Sequence, residues 1–217
     1  MNILEFVPVI KTPEKPQEGV IYLENRPGQE TLAAKIAAMK EYDFDYAIYR
    51  HDDLIIRTPE LIPLQCERMR MDDAGVAGLI GSLCLFDSVQ WWNPQRNVVT
   101  VGAIIQGDGK GGEYPMLDGP GYRADVVSVD GCFMIFDKKF IEAYEPHEFH
   151  WRFGYDVDAC LQCLAMGRNV AIADVQCKHD SQGSFNPVEF NEFRAKFLEY
   201  WKPRVEFPVI KQSRFKW

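Results

Sequence analysis

The sequence predicts an α/β fold, a mostly parallel mixed sheet flanked by helices in a single domain. Three observations lead there. Short apolar runs alternate with helical periodicity through the first half of the chain, which is the pattern of strand-helix-strand units. The 217 residues are enough for one large domain with a sizeable core. Hydrophobic residues make up 47% and charged ones 26%, ordinary globular composition and far from that of a disordered chain.

Taken in order, Gly19 to Asn25 reads as a short buried strand and Gln29 to Tyr42 as a helix with Leu32, Ile36 and Met39 on one face. Phe44 to Tyr49 is a second strand, and it ends in His51, Asp52 and Asp53. Thr58 and Pro59 have the N-cap and first-turn chemistry of a helix running towards Met71. Gly75 to Leu85, Val98 to Ile105 and Val126 to Phe136 are the third, fourth and fifth strands, with the linker-like, Gly-rich run Gln106 to Gly121 between the last two. Asp156 to Met166 is helical and closes at Gly167, a natural left-handed cap, before the short strand Val170 to Ala173. Asn186 and Pro187 open the last helix, with Glu189 placed for a capping box. Its stripe of Phe193, Phe197 and Trp201 suits a docked core face or, on pattern alone, a partner surface. Residues 1–185 are expected to form the main domain, and residues 186–217 a helix and tail packed on it.

Composition narrows the function. Lys plus Arg number 24 against 32 Asp plus Glu, and the net charge of −8 disfavours a polyanionic partner. No apolar run approaches the roughly 20 residues of a membrane span, and Met1 to Pro16 lacks a basic segment followed by an apolar one. The expectation is a soluble, unexported, cytoplasmic protein with no transmembrane segment. Six cysteines (Cys66, Cys84, Cys132, Cys160, Cys163 and Cys177) lie in apolar contexts and suit buried thiols in a reducing compartment. Cys160 and Cys163 have redox spacing, but they fall mid-helix and no second pair completes a zinc site.

Three constellations offer chemistry. The run Tyr49-Arg50-His51-Asp52-Asp53 ends an apolar strand in two adjacent carboxylates, which suits a divalent cation on a substrate diphosphate and equally a solvated turn whose Asp caps the next helix. Asp156 and Asp158, after Phe153-Gly154-Tyr155, open a helix; one could be a general base, or both could simply favour the positive end of the helix dipole. His179, in the polar loop Lys178 to Ser184, could complete a metal site with Asp53 or be a surface residue. Adjacent Trp91 and Trp92 could offer a face to a sugar or divide between core and boundary. Gly107 to Gly112 lacks the Lys-Ser or Lys-Thr end of a phosphate loop and reads as a mobile loop near the site mouth. Lys211, Arg214 and Lys216 form a short basic tail that could fold over a donor diphosphate, bind an anionic partner or simply be solvated.

These motifs, in this order, resemble the glycosyltransferase-like proteins of the GT-A fold, in particular the small single-domain group related to family-two glycosyltransferases. The resemblance runs from about Ile21 to Ser184. Asp45 to Asp53 is similar to the strand leading into the metal and nucleotide motif, and Gly78 to Ser82, Trp91-Trp92 and Val101-Gly102 are similar to the stretch after it. Val129 to Ile135 is similar to the strand lining the sugar and acceptor pocket, Phe153 to Asp158 to the acidic motif, and His179 to Ser184 to a late His-x-Ser-x-Gly pattern.

The resemblance implies a GT-A-like, Rossmann-like sheet and a metal-dependent, inverting glycosyltransferase. Asp156 would be the catalytic base, and Asp53 and His179 would hold Mn²⁺ or Mg²⁺. Asn25, His51, Asp52 and Gly131 would meet the nucleotide diphosphate sugar donor. Trp91, Trp92, Tyr155 and Asp158 would meet an acceptor hydroxyl, on a glycan, a small molecule, a protein or a modified nucleobase. A non-catalytic nucleotide-sugar or glycan-binding module and a metal-dependent hydrolase or nucleotidyltransferase use the same residues and stand as alternatives.

Overall fold

The computed structural model describes residues 1–28, 30–90, 99–107, 112–117, 121–181 and 186–216. The chain begins with a strand that the sequence pattern does not announce, β1 (Ile3–Val9), followed by β2 (Val20–Glu24). Helix α1 (Leu32–Ala38) starts at Thr31, whose hydroxyl accepts from the Ala34 amide. Then come β3 (Tyr46–Arg50), β4 (Leu54–Ile56) and α2 (Ile62–Met71). The expected strand from Gly75 to Leu85 is three short ones, β5 (Ala74–Gly78), β6 (Ile80–Ser82) and β7 (Cys84–Leu85). Likewise Val98 to Ile105 divides into β8 (Thr100–Gly102) and β9 (Ile104–Gly107) at Gly102, whose φ of +97° turns the chain where a Cβ would meet the Leu79 carbonyl.

The linker-like run contains β10 (Glu113–Leu117), paired antiparallel with β9, so its ends form a hairpin; residues 108–111 lie outside the described residues. The expected strand from Val126 to Phe136 divides too, into the end of β11 (Arg123–Val126), β12 (Ser128–Val129) and β13 (Phe133–Asp137). Helices α3 (Lys138–Ala143) and α4 (Tyr155–Ala165) follow, the latter ending before Gly167 at φ +77° as expected. Strands β14 (Asn169–Ile172) and β15 (Cys177–His179), helix α5 (Pro187–Trp201) and β16 (Val209–Ile210) complete the chain.

Seven strands form the central sheet in the order β11-β14-β5-β13-β3-β1-β2. Five run in one direction, while β13 and β11 oppose them, which is the mostly parallel, mixed sheet that the alternation predicts. Both faces are covered. Tyr46 and Ile48 of β3 face a cluster that includes Ile62 and Met69 of α2 and Phe193, Phe197 and Trp201 of α5. Ala47 and Tyr49, one position along, face Ile36 of α1, Phe140 of α3 and Cys160 of α4. A strand buried on both faces reads as an unbroken apolar run, which is why β3 is legible in the sequence.

The last helix shares this core, so its aromatic stripe is a docked face, and Asn186 caps it by accepting from the Val188 and Glu189 amides. The tail folds back as well: Phe215 stands edge-on to Trp201, and Lys211 donates to the Ala124 carbonyl. Thr58 departs from its expected role. Its hydroxyl accepts from the Gln176 amide, tying the start of α2 to the segment before β15. All six cysteines are free thiols, and burial pushes Cys163 up to about 12, far from a redox-active thiolate. Among the described residues no helix is long and apolar enough to cross a membrane.

Candidate active site

Strands β1, β2 and β3 are parallel, so their carboxyl ends open on one edge of the sheet, the usual place for a ligand in such a fold. Past β3 the chain turns through His51, Asp52 and Asp53. The turn is held from two sides. The His51 amide donates to the Cys132 carbonyl at 2.9 Å. Below it, the Arg50 guanidinium reaches the carbonyls of His51 and Leu54 while its Nε pairs with Glu5 at 2.7 Å.

Returning as β4, the strand pairs with β15 in a register that sets His179 opposite Leu54. That register brings His179 Nε2 to 3.2 Å from Asp53 Oδ1. The His51 ring lies 5.7 Å from the His179 ring, and one ligand atom from each of His51, Asp53 and His179 falls within 4.8 Å of the others. Asp53 Oδ1 and His179 Nε2 are close but poorly aligned, and among the described residues neither buried atom has a proper hydrogen-bond partner. Two imidazoles and a carboxylate with two such atoms fit a divalent cation that accepts nitrogen ligands.

Electrostatics agree with the geometry. Burial pushes the Asp53 carboxyl up, but the His179 imidazole and then His51 outweigh it and leave it below its ordinary value. Burial pulls His179 down, and the Asp53 carboxylate more than reverses this. For His51, burial prevails and the imidazole is held towards its neutral, ligating form. The Tyr155 hydroxyl, 3.0 Å from His51 Nε2, fixes the orientation of that ring from the second layer.

The turn from Asp130 to Cys132 joins this cluster to α4. Its Gly131 amide donates to Asp156 Oδ2 at 3.2 Å, its Cys132 amide donates to Asp130 Oδ1 at 2.7 Å, and its Cys132 carbonyl holds His51. Gly131 is required by close approach, since a Cβ there would lie 2.2 Å from the Tyr155 hydroxyl. Asp156 also accepts from the Val157 amide at 2.8 Å. Burial, followed by the Asp130 charge, raises the Asp156 carboxyl to about 7, and the backbone donors offset this only in part.

Asp52 is exposed beside the cluster, on the rim of a cleft of about 500 Å³ that Glu5, Val7, Val9, Lys11 and Tyr22 help to line. Asn25 is exposed just past β2, at the same end of the sheet, but does not line that cleft.

The expected acceptor residues lie differently. Trp91 and Trp92 fall outside the described residues. Tyr155 is buried against His51, so it positions the cluster from inside rather than facing an acceptor. Asp158 is fully buried and ties three elements together. His147 Nδ1 lies 3.1 Å away, and Gln162 and Trp201 donate to it at 2.9 and 3.0 Å. This takes Asp158 out of the acceptor surface and makes it a packing residue. Sequence reasoning missed Asp130, although a lone Asp before Gly131 in an otherwise apolar run was a signal. It also assigned His51 to the donor and overlooked its place beside Asp53 and His179.

A model of the glycosyltransferase-like family matches residues 3–201. No curated protein matches the sequence. Among solved structures, a crystallised protein from STIV aligns over 100% of this chain and 94% of its own, at 11% identity and a TM-score of 0.44. The inositol-1-phosphate CTP transferase from T. maritima aligns over 83% of this chain and 68% of its own, at 11% identity and a TM-score of 0.37. A CMP:2-keto-3-deoxy-manno-octonic acid synthetase complexed with CTP aligns over 92% and 99%, at 11% identity and a TM-score of 0.40.

Proposed function

Because the chain belongs to the glycosyltransferase-like family, we propose that it transfers a sugar from a nucleotide diphosphate sugar to an acceptor hydroxyl, with inversion at the anomeric carbon. One observation carries the reading. A carboxyl raised to about 7, Asp156, follows directly on the tyrosine that holds His51, a member of the His51, Asp53 and His179 cluster. A general base works best near the operating pH, and a cation-ready cluster beside it suits a diphosphate leaving group.

His51, Asp53 and His179 would hold the divalent cation, Mn²⁺ ahead of Mg²⁺ because Mg²⁺ prefers an all-oxygen shell. When bound, that cation would neutralise charge on the departing diphosphate. Asp52, on the cleft rim, accepts hydroxyl hydrogen bonds from the donor's ribose or sugar. Asp156 takes the acceptor's proton as the acceptor oxygen bonds to the anomeric carbon from the far face. The bond from that carbon to the phosphate oxygen breaks, and the nucleoside diphosphate leaves with the electron pair. The net charge of −8 favours an uncharged acceptor over nucleic acid.

The test is the product. Nucleotide diphosphate sugars incubated with the protein and Mn²⁺ should release the nucleoside diphosphate, and Asp156→Asn should slow release by about a hundred- to ten-thousand-fold while still binding the donor. Release of a nucleoside monophosphate and a sugar phosphate would replace this reading with a diphosphate-cleaving hydrolase or nucleotidyltransferase. Equal rates for wild type and Asp156→Asn would remove Asp156 from the chemistry.

A further inference from the structure

Lys35 is a cation in the wrong place for a purely structural side chain. It sits on α1, only 5% exposed, on the helix that covers the sheet. Its ammonium has three donors. Among the described residues it makes one hydrogen bond, a long one of 3.4 Å to the Val9 carbonyl, and no ion pair. An isolated ammonium withdrawn from water is costly, and proteins pair such groups or bring them to a ligand. Burial accordingly pulls the Lys35 ammonium down, and the Asp52 carboxylate opposes this.

Its position tells what the missing partner is. Val9 ends β1 and Asp52 follows β3, so Lys35 Nζ lies at the carboxyl edge of the parallel strands. Val9 and Asp52 both line the 500 Å³ cleft, and Lys11 stands on the same rim. Lys35 therefore reaches this edge from the α1 side, through the Val9 carbonyl and without itself lining the cleft, and it feels the Asp52 charge on the cleft rim. The cation would find there an anionic oxygen of whatever occupies the edge.

We propose that Lys35 is a donor-binding residue whose ammonium is the counter-ion for the phosphate oxygens of the nucleotide diphosphate. The assignment rests on the donor reading above and adds to it a charge contact made from the far side of the sheet edge. As a flexible point charge, a lysine suits an oxyanion whose position is fixed by other groups.

The test uses Lys35→Met, which keeps the length and apolar stem and removes the charge. Thermal unfolding is followed for the free protein and with UDP, GDP, CDP and dTDP, and with the corresponding nucleosides, all in Mn²⁺. Free Lys35→Met should be at least as stable as wild type, since an unpaired buried charge is gone. Its affinity for the diphosphate that binds wild type should fall by about ten- to a hundredfold, the loss expected for a hydrogen bond to a charged group, while nucleoside binding is unchanged. Lys35→Gln, which can still donate to the Val9 carbonyl, should show the same loss and guards against misfolding of the first variant.

A less stable Lys35→Met with undiminished diphosphate affinity would make Lys35 a structural post for the end of β1 and overturn the inference. Equal losses for nucleoside and diphosphate would place the contact on the base and overturn it as well. A wild type that no diphosphate stabilises would defeat the donor reading itself, a failure visible before any variant is made.

Discussion

Replacing Asp156 by Asn should weaken activity and strengthen the fold, and the size of the second effect follows from the site. Asp156 titrates near 7 in the folded protein against an ordinary 3.8, because burial and the Asp130 charge disfavour its ionised form. The folded state therefore holds its proton more tightly than the unfolded chain does. The corresponding stability is complete below pH 3.8 and is lost progressively as pH rises to about 7, above which the loss is constant. Three units at 1.36 kcal/mol each give about 4 kcal/mol, and partial access of solvent to Asp156 reduces this to about 2–4 kcal/mol. Asn keeps the shape and one of the two acceptors, for the Gly131 or the Val157 amide, and loses the other at a cost that does not vary with pH; it does not titrate, so the pH-dependent part of the difference is the carboxyl's own. Urea unfolding of both proteins between pH 4 and pH 8 should show Asp156→Asn gaining on wild type by that amount, nearly all of it before pH 7. A gap independent of pH would show that Asp156 is not destabilised as an anion, and the argument for it as a poised base would fail.

Two further outcomes follow from the same turn. Gly131→Ala places a methyl group against the Tyr155 hydroxyl, so it should destabilise the protein by about 1–3 kcal/mol in urea titrations and disturb His51 through Tyr155, lowering metal-dependent activity more than the stability loss explains. Asp130→Asn removes the largest charge acting on Asp156 while leaving an acceptor for the Cys132 amide; the acid limb of the rate profile should move to lower pH, and an unmoved limb would show that burial alone sets that carboxyl.

The sequence carried the core of the fold and the chemistry of the site to different depths. Strands buried on both faces and helices with clear stops, such as β3 and the α4 end at Gly167, stand out because their pattern is local. β1 does not, because Glu5 and Pro8 interrupt its apolar run. Glu5 is there to pair with Arg50, and Pro8 lies beyond Phe6, the last residue matched to β3, so its missing N–H breaks no bond on that side. The expected strand from Gly75 to Leu85 could not be divided from sequence, since its residues serve three different sheets in turn.

Within the site, Asp53 and His179 are 126 positions apart; ligand chemistry and family resemblance could pair them, but only the pairing of β4 with β15 sets them side by side. Asp158 shows the reverse. Residues two apart on a helix differ by about 200° around its axis, so Asp156 and Asp158 could not both face one substrate. Helix geometry separates the two, and the structure shows that Asp158 is the one turned inward, where His147, Gln162 and Trp201 receive it.

The claim on which the rest depends is that His51, Asp53 and His179 bind a cation that in turn holds a donor diphosphate. Calorimetric titration of nucleoside diphosphates into wild type and Asp53→Ala, each with and without Mn²⁺, tests it most directly. The account predicts binding by one diphosphate that requires both the metal and Asp53. Binding that persists without metal, or that Asp53→Ala leaves intact, would contradict it.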